Sequence, residues 1–263
     1  NPQKANATLP SGVKALSWDG DVPRADAVVH LAGEPVAGRW TKKKRATILR
    51  SRTETTRKVV DIMRSWTPGP DVFVSSSAIG YYGERGDDVL DESEGPGTGF
   101  LSEVCVAWEA EALAAESMGI PTTRLRMGLV LHPEGGALQR MLTPFKCGLG
   151  GRLGRGSQYW SWIHLTDTLR MIEMCLERPV QGPINVTGPT PITQYAFARA
   201  LAKVLHRPAI MPAPAWALKT ALGGFSIELL MSRRVVPSIA AAQGFTFEHP
   251  ELEAALKDLL GIS

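Results

Sequence analysis

Three consecutive hydroxyls, Ser75, Ser76 and Ser77, are followed closely by two phenols, Tyr81 and Tyr82. Apolar Val72, Phe73 and Val74 lead straight into them, and Gly80 and Gly83 punctuate the far end. A short apolar run that ends on polar and small residues reads as a buried strand whose carboxyl end opens toward a ligand. In an open α/β sheet that end is where ligands sit. On this reading Ser75, Ser76 and Ser77 supply hydroxyls to the ligand, and Tyr81 and Tyr82 just beyond them form part of a pocket wall. The alternative is a strand running into a tight turn, with its serines capping backbone groups. An unassisted phenol, titrating near about 10, is a poor base at neutral pH, so either tyrosine would need help.

Other reactive side chains are scattered. Cys105, Cys147 and Cys175 lack paired spacing and read as free thiols in a reducing compartment, not as disulfides or a zinc site. The His, Asp and Glu residues show no metal spacing, and no nucleophile elbow indicates acyl transfer. Arg124 and Arg126 alternate on one expected strand, where an arginine makes a sheet-edge ion pair or faces an anion at the cleft. The stretch 146–156 is glycine-rich and basic, with Lys146, Arg152 and Arg155, but no helix start follows in the phosphate-loop pattern. The basic run 42–45 opens an expected helix and reads as a solvated face.

The 263 residues are enough to bury a sizeable core. With 44% hydrophobic and 21% charged residues and a net charge of +3, the chain is ordinary and globular, with no dominant nucleic-acid signature. No stretch reaches the length of a membrane span, and no membrane or nucleic-acid partner is expected. A small-molecule substrate is expected, with the chain a monomer or homodimer, cytoplasmic or in an organelle.

The positioning elements follow from periodicity. Strands are expected over residues 13–18, 26–31, 71–75, 120–130, 158–164 and 183–186, with Val28 and Val29 typical of a strand buried on both faces. Helices are expected over 42–63, 100–118, 138–145, from a Thr166 cap to about 176, 193–206, 216–222, 227–236 and 251–260. Strand, helix and strand in alternation imply βαβ crossovers and a doubly wound parallel sheet. Residues 1–133, with strands returning at about 157–187, are expected to form the Rossmann-like part. Residues 134–156 and 188–263 are expected to form a smaller helix-rich lobe.

Four motifs at these strand ends, His30 to Glu34, Ser76 to Gly83, Phe100 to Glu109 and Trp162 to Asp167, resemble the NAD(P)-dependent epimerase/dehydratase branch of the extended short-chain dehydrogenase/reductase superfamily. The closing segment, residues 234–256, is similar to the C-terminal domain of unknown role found in its uncharacterised epimerase-family members. The resemblance implies an oxidoreductase or epimerase using NADP or NAD, or a silent NADP-binding regulatory protein. It places Trp18, Asp19, Leu31, Ala32, Gly33 and Glu34 on the adenosine side of the cofactor and Ser75 and Ser76 near the nicotinamide. It puts Ser77 in the neighbourhood of the active-site hydroxyl position, Tyr81 and Tyr82 at the edge of the substrate side, and Trp162 and His164 at the substrate-lobe junction. In an enzyme, Ser76, Ser77 and Tyr81 or Tyr82 would polarise a hydroxyl or carbonyl. Two departures stand out. The family's opening glycine-rich strand-loop-helix is not found, so about 35 residues are expected to precede Asn1. The family's Tyr-x-x-x-Lys pair is also missing, since Leu101 and Cys105 occupy that spacing. Cys105 could move a proton only as a thiolate, so a non-standard donor is expected.

Overall fold

The computed structural model describes residues 2–18, 20–178 and 180–262. After a short helix α1 (Pro2–Asn6) the chain runs irregularly to strand β1 (Ala27–His30). The strand expected over residues 13–18 does not form. That segment pairs with no other strand among the described residues, and Val13, Leu16 and Trp18 stand exposed. Extended chain without a ladder or a buried face has nothing to offset its lost entropy.

Thr41 caps helix α2 (Lys42–Arg64) by accepting from Lys44 N, and Ile48, Thr56, Val59, Val60 and Met63 bury one face. The basic run therefore crowds the positive end of the helix dipole, an unfavourable placement that Glu34 offsets by pairing with Lys44 at 2.5 Å. Strand β2 (Val72–Ala78) outlasts its apolar run: Ser75, Ser76 and Ser77 continue it and are buried with it. A single 3₁₀ turn (Ile79–Tyr82) ends the strand. Gly83, at φ 65°, makes the exit in a conformation that favours glycine. Strand β3 (Val89–Leu90), helix α3 (Phe100–Glu116) and strand β4 (Thr122–Met127) follow.

The extended run expected over 120–130 breaks at Gly128. A side chain there would lie 2.5 Å from Ser161 O, so the chain leaves the sheet at this close contact and continues as β5 (Leu129–Leu131). Next come α4 (Gly136–Lys146), β6 (Tyr159–Trp160), β7 (Trp162–His164), α5 (Leu165–Glu177), β8 (Gly182–Val186), β9 (Ile192–Thr193) and α6 (Gln194–Val204). The strand expected over 158–164 is thus split at Ser161, whose hydroxyl donates to Arg233 O and accepts from Val235 N. Helix α7 (Ala215–Leu222) and helix α8 (Phe225–Leu230) follow. The helix expected over 227–236 stops short, because residues 234–235 form β10 (Arg234–Val235) against β3 and bury Val235 against Leu90 and Tyr82. Helices α9 (Ser238–Ala242) and α10 (Leu252–Leu260) close the chain.

The central sheet is parallel, in the order β1, β2, β4, β8. Phe73 points to one face, into a core with Val59, Val60 and Met63 of α2 and Ala112 and Ala115 of α3. Its neighbours Val72 and Val74 point to the other, against Met171, Ile172 and Cys175 of α5 and Ala240 of α9. Helices on both faces make a Rossmann-like doubly wound α/β fold. A separate core of Leu138, Leu142, Phe145, Phe197, Leu201 and Leu256 builds the smaller helical lobe. No helix among the described residues is long and apolar enough to cross a membrane.

Candidate active site

Parallel pairing of β2 with β4 sets Ser77 level with Arg126. Both reach Glu109 of α3. Ser77 Oγ donates to Glu109 Oε1 at 2.7 Å, while Arg126 grips the carboxylate through Nε at 2.9 Å and Nη2 at 3.1 Å. Arg126 Nη1 donates to Tyr82 OH at 3.0 Å, and Tyr82 OH donates to Asn185 Oδ1 at 2.7 Å. Asn185 passes the chain on, donating through Nδ2 to Val236 O and through its backbone N to Glu92 Oε1. Every side chain in this network is buried. Such a network holds its members rigidly because each polar atom has a partner in a low-dielectric interior.

Electrostatics follow the burial. Desolvation pushes the Tyr82 phenol up to about 12, against the opposing pull of Arg126. Burial also opposes the Arg126 charge, but the hydrogen bonds and charge of Glu109 outweigh it and hold the guanidinium above its ordinary value. Arg126 sits on a central strand, not at a sheet edge, and its charge is spent on Glu109. A buried arginine needs such a carboxylate, which is the signal by which Glu109 could have been sought in the sequence.

Tyr81 differs from its neighbour. Its ring is half-buried, lies 3.5 Å under the Arg126 guanidinium and meets the Tyr82 ring edge to face at 5.4 Å. Ser76 has only a long contact from Oγ to Ser77 O at 3.5 Å. Ser75 is fully buried, and its Oγ has no hydrogen-bond partner. Leu101 and Cys105, at the Tyr-x-x-x-Lys spacing, pack beneath the 3₁₀ turn, where a side chain on Gly80 would meet Leu101 Cβ at 3.3 Å and Cys105 Sγ at 3.6 Å. Burial, reinforced by Glu109, pushes the Cys105 thiol up to about 12, so it is no thiolate.

Beside Ser75 in the parallel register stands His30, and the chain then leaves the carboxyl end of β1 as Leu31, Ala32 and Gly33, all exposed. A side chain on Gly33 would lie 3.2 Å from the Arg52 guanidinium carbon, so glycine lets α2 approach this ledge closely. Arg52 donates to Glu34 O at 3.0 Å, and Ser51 Oγ accepts from Glu34 N at 2.9 Å. The ledge is thus fixed from below and open above, the geometry that admits a flat nucleotide along a strand end. Trp18 is exposed, with Lys58 Nζ 5.7 Å from its ring centre; Asp19 lies outside the described residues.

Trp162 and His164 both reach the smaller lobe. Trp162 is buried in that core. His164, not Thr166, caps α5: its Nδ1 accepts from Thr166 N at 3.1 Å. Its Nε2 lies 3.2 Å from Asp258 Oδ2, and its ring stacks on His249 at 3.8 Å. His164, His249 and Asp258 could be taken for a metal site. A neutral ring that accepts at Nδ1 carries its proton on Nε2, however, which leaves no lone pair there for a cation.

A parallel sheet with helices on both faces, an open ledge at the end of one strand and hydroxyls on the next defines a nucleotide-binding protein of the Rossmann class. Residues 20–187 match the NAD dependent epimerase/dehydratase family, and residues 213–259 match a domain of unknown function, DUF1731. The chain belongs to the NAD dependent epimerase/dehydratase family, of the extended short-chain dehydrogenase/reductase type. It is 37% identical over 242 residues to the epimerase family protein YfhF of Bacillus subtilis, covering 91% of this chain and 80% of that one. A crystal structure of human epimerase family protein SDR39U1 (isoform 2) with NADPH matches with a TM-score of 0.86 and 32% identity, covering 93% of this chain and 84% of that one. The nucleoside-diphosphate sugar epimerase of Corynebacterium glutamicum matches with a TM-score of 0.75 and 29% identity, covering 97% of this chain and 51% of that one.

Proposed function

We propose that the protein is a nicotinamide-dependent oxidoreductase or epimerase acting on a small hydroxyl- or carbonyl-bearing molecule, with NADP preferred over NAD. The observation that carries this is the pair of adjacent strand ends, where the open ledge of Leu31, Ala32 and Gly33 runs beside Ser75 and Ser76. The likeness to a human relative crystallised with NADPH supports the choice of cofactor. Leu31, Ala32, Gly33 and Glu34, with Trp18 beyond them, hold the adenosine side. Ser75 and Ser76 lie toward the nicotinamide, which supplies or accepts hydride when bound. Ser76 and Tyr81 touch the substrate: Ser76 donates to its oxygen, and Tyr81 exchanges the proton. Ser77 and Tyr82 act as positioning residues, since their hydroxyls are already committed to Glu109 and Asn185. Glu109 and Arg126 lock α3 to the sheet and fix the face of the Tyr81 ring.

A panel of small alcohols with NADP+ and carbonyl compounds with NADPH, followed by NADPH absorbance and by deuterium transfer from the labelled cofactor or chromatographic detection of epimers, tests this assignment. Tyr81→Phe is expected to lower kcat by about 10²-fold, the usual contribution of a general acid–base group, and to leave NADPH affinity unchanged. Equal turnover by wild type and Tyr81→Phe would remove Tyr81 from the chemistry. One observation favours a second reading, a silent NADP-binding regulator: Leu101 and buried Cys105 fill the positions of the family's proton-transfer pair. That reading predicts NADPH binding without hydride transfer to any member of the panel.

A further inference from the structure

Charge is segregated along this chain. Residues 135–166 and 178–227 contain nine of its 29 lysines and arginines and none of its 26 acidic residues. These two segments therefore hold +9, while the rest of the chain holds −6. The fold brings much of them side by side. Met211 N donates to Gly150 O, Ala213 N to Arg152 O and Gly154 N to Ala213 O, and Arg207 Nε donates to Lys146 O. Upon this scaffold Leu149 is 60% exposed, Ile210 76%, Met211 51% and Trp216 73%. Helix α7, which carries Trp216, buries none of its residues despite being largely apolar. Lys146, Arg152, Arg155, Arg207 and Lys219 lie on the same two segments and are exposed, outnumbering the exposed Glu84 and Asp87, which line a pocket with Arg155 and Ala215 at one end of the ledge.

Apolar side chains so exposed among an excess of basic residues favour an anionic partner. A second copy docked on the same face would bring two positive rims together, at an electrostatic cost. A folded acidic protein would recognise the patch through a complementary pocket or groove. Here the side chains stand out from a ledge stiffened by Pro208, Pro212 and Pro214, which suits a fluid surface that needs no matching shape. Tryptophan among aliphatic residues with flanking Lys and Arg is the pattern that settles at the headgroup boundary of an anionic bilayer. We propose that the ledge formed by residues 146–155 and 207–219 docks the protein peripherally on anionic lipid, with Ile210, Met211 and Trp216 dipping in.

Co-sedimentation of the full chain with phosphatidylcholine vesicles, alone or with about one third phosphatidylglycerol, tests this. Pelleting is expected with the phosphatidylglycerol vesicles only, weakening as salt rises. Ile210→Glu with Met211→Glu is expected to weaken it at least about tenfold, while Leu169→Glu, at an exposed site on α5, leaves it unchanged. All of these side chains are exposed, so melting temperatures should match the wild type. Absence of pelleting with anionic vesicles, or pelleting that the double variant does not weaken, would overturn the proposal. A dimer lost in the double variant without vesicle binding would assign the patch to a second copy and overturn it. Binding of polyglutamate but not of vesicles would assign it to an acidic polypeptide and overturn it equally.

Discussion

Tyr81 and Tyr82 are neighbours with opposite assignments. Tyr82 accepts from Arg126 and donates to Asn185 in a dry interior, so Tyr82→Phe strands two polar partners and is expected to cost about 1–3 kcal/mol in urea unfolding. Glu109→Ala leaves Arg126 buried without its counter-ion, for an expected loss of about 3–5 kcal/mol. The Tyr82 phenol also fixes a pH dependence. Its value when folded, about 12, lies above the ordinary value of about 10. The stability this shift contributes is therefore complete below about pH 10 and is lost as pH rises through 12. His164 works in the opposite direction. Burial, then the neighbouring His249, lower it, and the carboxylates of Asp258 and Asp167 only partly compensate. Its contribution is complete above the ordinary histidine value of about 6.5 and falls as the medium becomes more acidic. His164→Asn keeps a helix-capping acceptor and is expected to flatten the acid limb of a stability–pH curve. A curve unchanged by H164N would show that another group titrates there.

The elements explain why these side chains meet. β2 continues through Ser75, Ser76 and Ser77 because β1 and β4 flank it, although three serines in a row would by themselves suit a turn. The 3₁₀ turn then rests on Leu101 and Cys105, and the loop before α3 closes over it so tightly that a side chain on Gly97 would lie 2.0 Å from Tyr82 O. Gly97→Ala is therefore expected to destabilise by about 1–3 kcal/mol, the usual result of overpacking, and to loosen Tyr81. Thiol reactivity reports on the same packing. Of the three free cysteines only Cys147 is exposed, so Ellman's reagent should titrate one thiol in the native protein and the other two only on unfolding. Much of this level was legible in the sequence: α2, α3, α6 and α10 fall close to where apolar spacing and caps put them. The breaks at Gly128 and Ser161 were not, because each answers a backbone contact from a distant segment. The capping of α5 by His164 was missed for a local reason, since Thr166 offers the more usual capping hydroxyl. Glu109 lies within a motif read for family likeness, but its partner Arg126 is on another element, and spacing does not state that they touch.

At the scale of the molecule, the sheet and the smaller lobe have separate cores, and the proposed chemistry falls at the carboxyl ends of the sheet. The doubly wound class was readable from alternating strands and helices. The packing of Trp162 into the smaller lobe's core and the approach of His164 to Asp258 were not, because those partners come from elements distant in sequence. The most direct test is calorimetric titration of the full-length protein with NADPH and NADH, repeated on Gly33→Val. A branched side chain there crowds the Arg52 guanidinium, whose hydrogen bond to Glu34 O holds the ledge, and so shifts the surface on which the nucleotide rests. Saturable NADPH binding, tighter than NADH and weakened at least about tenfold in G33V with the melting temperature of the free protein preserved, is the predicted result. NADPH binding indifferent to G33V, or no binding of either nucleotide, would contradict a cofactor seated on the ends of β1 and β2.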